Sequence, residues 1–274
     1  MSEKSNQFEI DIVNLIKNYN VIPENIPTWM ENEGILPGSQ ITSVERMGNT
    51  GSKTDVIIRL ESPSKPIKIS IKLNSAHHFG NWYSHPRIIE EFGQENFNNL
   101  VKDCTLWAND WKNHSNASLF VGVSICFGKR QGKTAREFTQ VFNYEDIVKI
   151  VAGYGEGEGI ANCLFVGSEV PVTIDELLPL IKPIDEEVIM ELSDNFKVAY
   201  RPINPATERS NRGKAVYTKF QPYKPLEEKR IVKTLEELNK LGEYVEVEPN
   251  SLNHNHILRE LDEVYNICIP LASR

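Results

Sequence analysis

The chain has 274 residues, enough to bury a sizeable core as one large domain or as one domain with an appended lobe. A hydrophobic share of 40% and a charged share of 25% exclude a disordered chain, and no apolar run approaches the roughly eighteen residues of a membrane span. The net charge of −8 excludes a protein coated in basic residues but leaves room for a localised basic groove. The opening MSEKSNQFEI lacks the basic-then-apolar pattern of a signal peptide, so a cytoplasmic location without a membrane partner is expected. Cys104, Cys126, Cys163 and Cys268 lie far apart with no CxxC pair, which predicts buried thiols rather than a zinc site or a disulfide framework.

In chain order, Ser5 is placed to cap a first helix in which Phe8, Ile12, Leu15, Ile16 and Tyr19 recur at helical spacing. Glu9 lies one position off that stripe. Residues 21–37 are Pro-rich and read as a connection carrying an exposed Trp29, and residues 41–47 read as a strand entering the core. A Gly/Ser/Thr/Asn loop, MGNTGSKTD, then delivers Asp55 into a hairpin, DVIIRLESPSKPIKISIK. Its second strand alternates, with Ile67, Ile69, Ile71 and Leu73 on one face and Lys68, Ser70 and Lys72 on the other. If the hairpin is symmetric about its turn, Leu60 pairs with Ile67, Ile58 with Ile69 and Val56 with Ile71. Asp55 then stands directly across from Lys72, at about the 5 Å Cβ separation of cross-strand neighbours. A carboxylate there is a hard ligand for Mg²⁺, and an ammonium beside it steadies a phosphoryl oxygen or helps polarise water. On spacing alone, a surface ion pair on an edge hairpin is the favoured description.

The surrounding residues separate these readings. GSKTDVIIRL followed by KPIKISIKLNS resembles the active-site core of the PD-(D/E)xK nuclease superfamily, and within it the type II restriction endonucleases. The resemblance implies Asp55 as the metal-binding acid, Ser70 at the variable position, Lys72 as the catalytic lysine, Mg²⁺ as cofactor and the main-chain carbonyl of Ile71 as a further ligand. Thr54 replaces the family's proline, and Ser70 replaces its second acid, which leaves the metal one carboxylate short. The first helix of many such nucleases supplies an extra acid, so Glu9 is a candidate replacement, with Glu90 and Glu91 as competitors. Ser70 would hold a metal-bound water, and Asn74, Ser75, His77 and His78, just beyond the lysine, would reach DNA near the scissile phosphate. The implied fold is α/β, a restriction-endonuclease-like core with a central mixed β-sheet flanked by helices. Residues 1–274 would form a single endonuclease domain, with the catalytic core at about 1–170 and a DNA-recognition region at about 195–225 within it.

Beyond the motif, Pro86 suits a helix's first turn, and Phe97, Leu100, Val101, Cys104, Trp107 and Trp111 keep a core-facing three-to-four spacing. SLFVGVSICF is a strongly β-like run, expected beside the hairpin in the central sheet. GKRQGKTAR fails the Walker A spacing because Phe127 stands where a glycine is needed; it reads as a basic hairpin offering Lys129, Arg130, Lys133 and Arg136 to a phosphate backbone, or as a solvated turn. A helix is expected over 144–151, a strand at CLFVG, and a capping box of Thr173 and Glu176 opening a helix through Leu180. Residues 197–224 hold seven basic residues against one acid, with Tyr200, Tyr217, Phe220 and Tyr223 interleaved. Two strands around a Gly/Asn/Ser-rich loop would suit major-groove reading, with Arg209, Arg212 and Lys214 at the tip, Arg201 and Lys219 as further DNA contacts, and Asn204, Asn211 and Gln221 able to make paired hydrogen bonds to base edges. The tail reads as a helix over 226–241 ended by Gly242, a strand EYVEVE, and a helix over 256–267.

The expected activity is sequence-specific, Mg²⁺-dependent hydrolysis of double-stranded DNA to 5′-phosphate and 3′-hydroxyl ends. A homodimer is possible on a palindromic site, and a cognate DNA methyltransferase is the expected genetic partner rather than part of a complex. Two other readings share the residues. One is a structure-specific repair or recombination nuclease; the other is a DNA-binding protein whose metal site has decayed at Ser70.

Overall fold

The structure, a computed structural model, describes residues 3–47, 52–81, 83–207, 214–250 and 252–272. The chain forms two compact units: Met1–Phe79 with Tyr144–Phe196, and Gly80–Asn143 with Lys197–Arg274. The expected catalytic core of about 1–170 thus draws on both units, and nearly all of the expected recognition region falls in the second.

The first unit is a mixed five-stranded sheet. Strands β1 (Ile41–Arg46), β2 (Val56–Leu60) and β3 (Ile67–Leu73) form an antiparallel meander. Strand Cys163–Gly167 joins β3 in parallel, and Lys182–Pro183 closes the far edge. Helix α1 (Glu3–Ile16) buries Phe8, Ile12, Val13 and Ile16 against β1 and β3, and the Phe8 ring stacks on Phe165 at 5.8 Å. Ser5 lies inside this helix rather than capping it. The alternating residues Val56, Ile58, Leu60, Ile67, Ile69, Ile71 and Leu73 share that core. Each such side chain contributes about 1.5–3 kcal/mol on burial. Ile57, Ser70 and Leu164, on the opposite face, are also fully buried, so the sheet is covered on both sides.

The hairpin register differs from the symmetric one by two residues: Val56 stands opposite Ile69 and Ile58 opposite Ile67. An even slip keeps every side chain on its face. Its cause is a turn anchored outside the hairpin. Leu60 pairs with Ile41 of β1, the Glu61 amide donates to Gln40 O at 2.9 Å, and the Lys65 amide donates to Gly34 O at 2.9 Å. Residues 21–37 supply the Gly34 part of that anchor and include a short helix, Thr28–Asn32, with Trp29 half-buried rather than exposed.

In the second unit, Gly80–Asn81, Val123–Gly128, Lys197–Pro202 and Ala135–Glu137 form an antiparallel sheet. The SLFVGVSICF strand therefore belongs here, not beside the hairpin, where CLFVG stands instead. Helices His85–Phe92 and Gln94–Trp111 pack together, and the expected stripe from Phe97 to Trp107 is buried, with Trp111 stacked on Trp107. The tail holds less helix than expected. Thr234 and Glu237 form a reciprocal capping box that starts a helix only at Leu235–Asn239, while Val232 donates its amide to Cys268 O beside the parallel pair Arg230–Ile231 and Ile267–Cys268. Gly242 opens strand Gly242–Val245, where a Cβ would lie 2.2 Å from Gln221 O. The last helix runs His254–Glu263 from an Asn253 cap. Likewise, Thr173 opens only Ile174–Leu177 before the chain tightens to a 3₁₀ turn. All four cysteines are free thiols, and among the described residues no helix is long and apolar enough to cross a membrane.

Candidate active site

Asp55 sits where β2 meets its entering loop. The amides of Lys53 and Thr54 both donate to Gly159 O, at 2.9 and 3.2 Å, and the Asp55 amide donates to Ile69 O at 2.8 Å. The regular ladder between β2 and β3 stops there. Asp55 continues it with its side chain: Oδ2 accepts the Ile71 amide at 2.7 Å and the Lys72 ammonium at 3.1 Å. Lys72 Nζ also donates to Ile71 O at 2.8 Å. The acid and the lysine thus meet as expected, along a diagonal rather than directly across. With side-chain exposures of 13% and 17%, the pair is too enclosed for the exposed edge pair that spacing alone allowed. Ser70, two residues before Lys72 on the same face, is fully buried and its hydroxyl has no hydrogen-bond partner among the described residues; the hydroxyl of Thr54 is in the same condition.

Glu9 completes the cluster from α1. It is buried, and Arg46, at the end of β1, donates from Nε to Glu9 Oε2 at 2.6 Å while its other arm donates to Asn6 Oδ1 at 2.8 Å. Burial raises the Glu9 carboxyl above its ordinary range, and the charge of Asp55 raises it further, against the opposing pull of Arg46 and Lys72. Glu9 therefore lies within electrostatic reach of both motif residues. Its competitors Glu90 and Glu91 belong to helix His85–Phe92 in the second unit, where Glu91 is committed to Arg87 at 2.5 Å.

These donors suit a hard divalent cation. Asp55 Oδ2 and Ile71 O already converge on a positive charge, the Lys72 ammonium, and Glu9 supplies a second carboxylate nearby. Among the described residues no cluster of three His, Cys, Asp or Glu side chains forms a fuller ligand set. Arg46 and Asn6 escaped the sequence reading. The signal for Arg46 was its place at the end of the strand that pairs with β2, where it stands opposite Val56, next to Asp55.

The expected DNA contacts divide. Asn74, Ser75, His77 and His78 are exposed on the segment leaving β3, where Asn74 Nδ2 donates to Ser168 Oγ at 3.1 Å. The loop with Lys129, Arg130 and Lys133 is not a hairpin, because the strands it joins both pair with Lys197–Pro202 instead of each other. Arg130 and Lys133 are exposed, Lys133 Nζ lies 2.7 Å from His114 Nε2, and Arg136 forms a forked ion pair with Asp103. Residues 197–224 do not make one two-stranded reader, since Lys197–Pro202 and Lys219–Pro222 belong to different sheets. Lys197 pairs with Glu137, Arg201 donates to Asn81 Oδ1 at 3.0 Å, Lys219 pairs with Glu260 at 3.0 Å and Gln221 donates to the Tyr265 hydroxyl. Lys214, Tyr200, Tyr217 and Phe220 are buried. Arg209, Asn211 and Arg212 lie outside the described residues. Set against known proteins, the chain matches no family model and no curated protein.

Proposed function

We propose that the protein is a magnesium-dependent, sequence-specific endonuclease of double-stranded DNA, of the type II restriction class, leaving 5′-phosphate and 3′-hydroxyl ends. The observation that carries this reading is the convergence of Asp55 Oδ2, Ile71 O and the Lys72 ammonium at the end of the hairpin, with Glu9 in reach. Asp55, the Ile71 carbonyl and Glu9 would hold Mg²⁺, whose chemistry when bound is Lewis-acid stabilisation of a phosphoryl oxygen and easier deprotonation of water. The protein's own part is positional and electrostatic. The Ile71 amide orients the Asp55 carboxylate. Lys72 presents an ammonium that steadies charge developing on phosphorus and hydrogen-bonds the attacking water. The unpartnered Ser70 hydroxyl offers a buried water its anchor.

The test is digestion of a sequenced plasmid with and without Mg²⁺, beside Asp55→Asn and Lys72→Ala. Asparagine keeps an acceptor for the Ile71 amide, so the fold is retained while the charge is lost. Discrete bands that need Mg²⁺ and vanish in both variants are expected; undiminished cutting by both variants would sink the assignment. The buried Ser70 in place of an acid favours one second reading, a DNA-binding protein without cleavage, which predicts retention of DNA and no bands under any metal. Cutting at branches without a fixed sequence would mark a repair nuclease instead.

A further inference from the structure

The nuclease reading leaves open how many cations the site takes, and the ion pair behind Glu9 bears on it. This inference rests on that reading. We propose that Arg46 is a positioning residue that holds Glu9 as its counter-ion and so limits the site to one divalent cation per chain.

The argument is one of charge. In the first unit the cluster holds two carboxylates, Asp55 and Glu9, and two side-chain cations, Lys72 and Arg46, so it is neutral before any metal enters. In the sequence, the residues from 48 to 54 ahead of Asp55 include no acid. Ser70 stands where a third carboxylate would change the balance, and its hydroxyl brings no charge. One divalent ion leaves this cluster with a surplus of two positive charges, which a DNA phosphate and displacement of the Lys72 ammonium can absorb. A second ion would need both carboxylate oxygens of Glu9, and Oε2 is held by a guanidinium at 2.6 Å whose other arm is fixed on Asn6 at 2.8 Å. The Arg46 side chain is 30% exposed against 4% for Glu9, so the pair is anchored at its buried end. Breaking it would strand a carboxylate out of water.

The experiment counts Mn²⁺ bound to the full chain without DNA, by titration calorimetry and by loss of the free-ion EPR signal. The wild type is expected to bind one ion, lost in Asp55→Asn. Arg46→Met releases Glu9, and either a second ion or an affinity higher by about tenfold is expected, the scale on which one neighbouring charge alters an ionic equilibrium. Arg46→Lys keeps the charge and should restore the wild-type count and affinity, a rescue that a purely structural role would not require. Arg46→Gln keeps hydrogen bonds to Glu9 and Asn6 and serves if methionine does not fold. Two ions on the wild type, or a charge-removing variant that binds as the wild type does, would overturn the inference and leave the nuclease reading standing. Absence of any Asp55-dependent ion would overturn both.

Discussion

At the scale of single residues, Lys72 has two roles that oppose each other. Its ammonium donates to Asp55 Oδ2 at 3.1 Å and to Ile71 O at 2.8 Å, the two atoms that a cation would need. Lysine is therefore the competitor of the ion it is proposed to work beside. Lys72→Met should abolish cleavage yet tighten Mn²⁺ binding by about tenfold, because a neighbouring positive charge disfavours a second one by that order. Calorimetry on the variant decides it; weaker or unchanged binding would show that the ammonium does not sit in the cation's place. This pair was legible in the sequence because it depends on local order, a loop that ends at an acid and a strand that alternates. Arg46 was not, since nothing in sequence spacing links residue 46 to residue 9; only the packing of α1 against β1 brings them together.

At the scale of elements, alternation identified strands more surely than it identified their neighbours. Val123–Gly128 and Cys163–Gly167 are both apolar runs, and the sequence does not say which one lies beside β3. The hairpin register lies two residues from the symmetric one because its turn is anchored to Gly34 and Gln40, outside the hairpin's own alternation. Close backbone approach is a sterner constraint. Gly242→Ala would set a Cβ 2.2 Å from Gln221 O, and since a carbonyl oxygen within a strand pair yields little, a loss of about 1–3 kcal/mol is expected in urea unfolding. A second element-level contact is sensitive to pH. His85, at the start of helix His85–Phe92, donates from Nε2 to Val216 O at 2.7 Å and accepts the Asn250 amide on Nδ1 at 3.2 Å, so both ring nitrogens are used by the neutral form. Burial holds its pKa below the ordinary 6.5, against the pull of the Val216 carbonyl. The unfolded chain then binds the extra proton more readily than the folded one. His85 thus favours the fold fully above pH 6.5 and loses that contribution as pH falls through 6.5 toward its folded value. Between pH 7.5 and 5 the wild type should lose more stability than His85→Gln; parallel curves would rule the effect out.

At the scale of the whole molecule, the basic stretch 197–224 shows why charge counted along a sequence is a poor guide to charge presented on a surface. Glu137 and Glu260, distant in sequence, pair with Lys197 and Lys219, and three of the four interleaved aromatics lie in the core. What could be read from order alone was the surplus, and what could not was its partial offset by folding, at Lys197 and Lys219. The proposed DNA contact consequently falls to fewer cations than the sequence offers, and the salt dependence of binding measures how many. Each phosphate neutralised adds about 0.9 to the slope of log affinity against log salt. Arg130 and Lys133 are exposed on the loop after Val123–Gly128, so alanine at each should lower that slope by about 1 if the loop meets the backbone. Lys219→Ala should leave the slope unchanged and cost stability instead, because its ammonium bonds both oxygens of Glu260, at 3.1 and 3.0 Å. Fluorescence anisotropy on a labelled duplex between 50 and 200 mM salt, the range over which such slopes are resolved, separates the two kinds of lysine. A slope that falls with Lys219→Ala and holds with Arg130→Ala would place the DNA on the strand Lys219–Pro222 rather than on the loop.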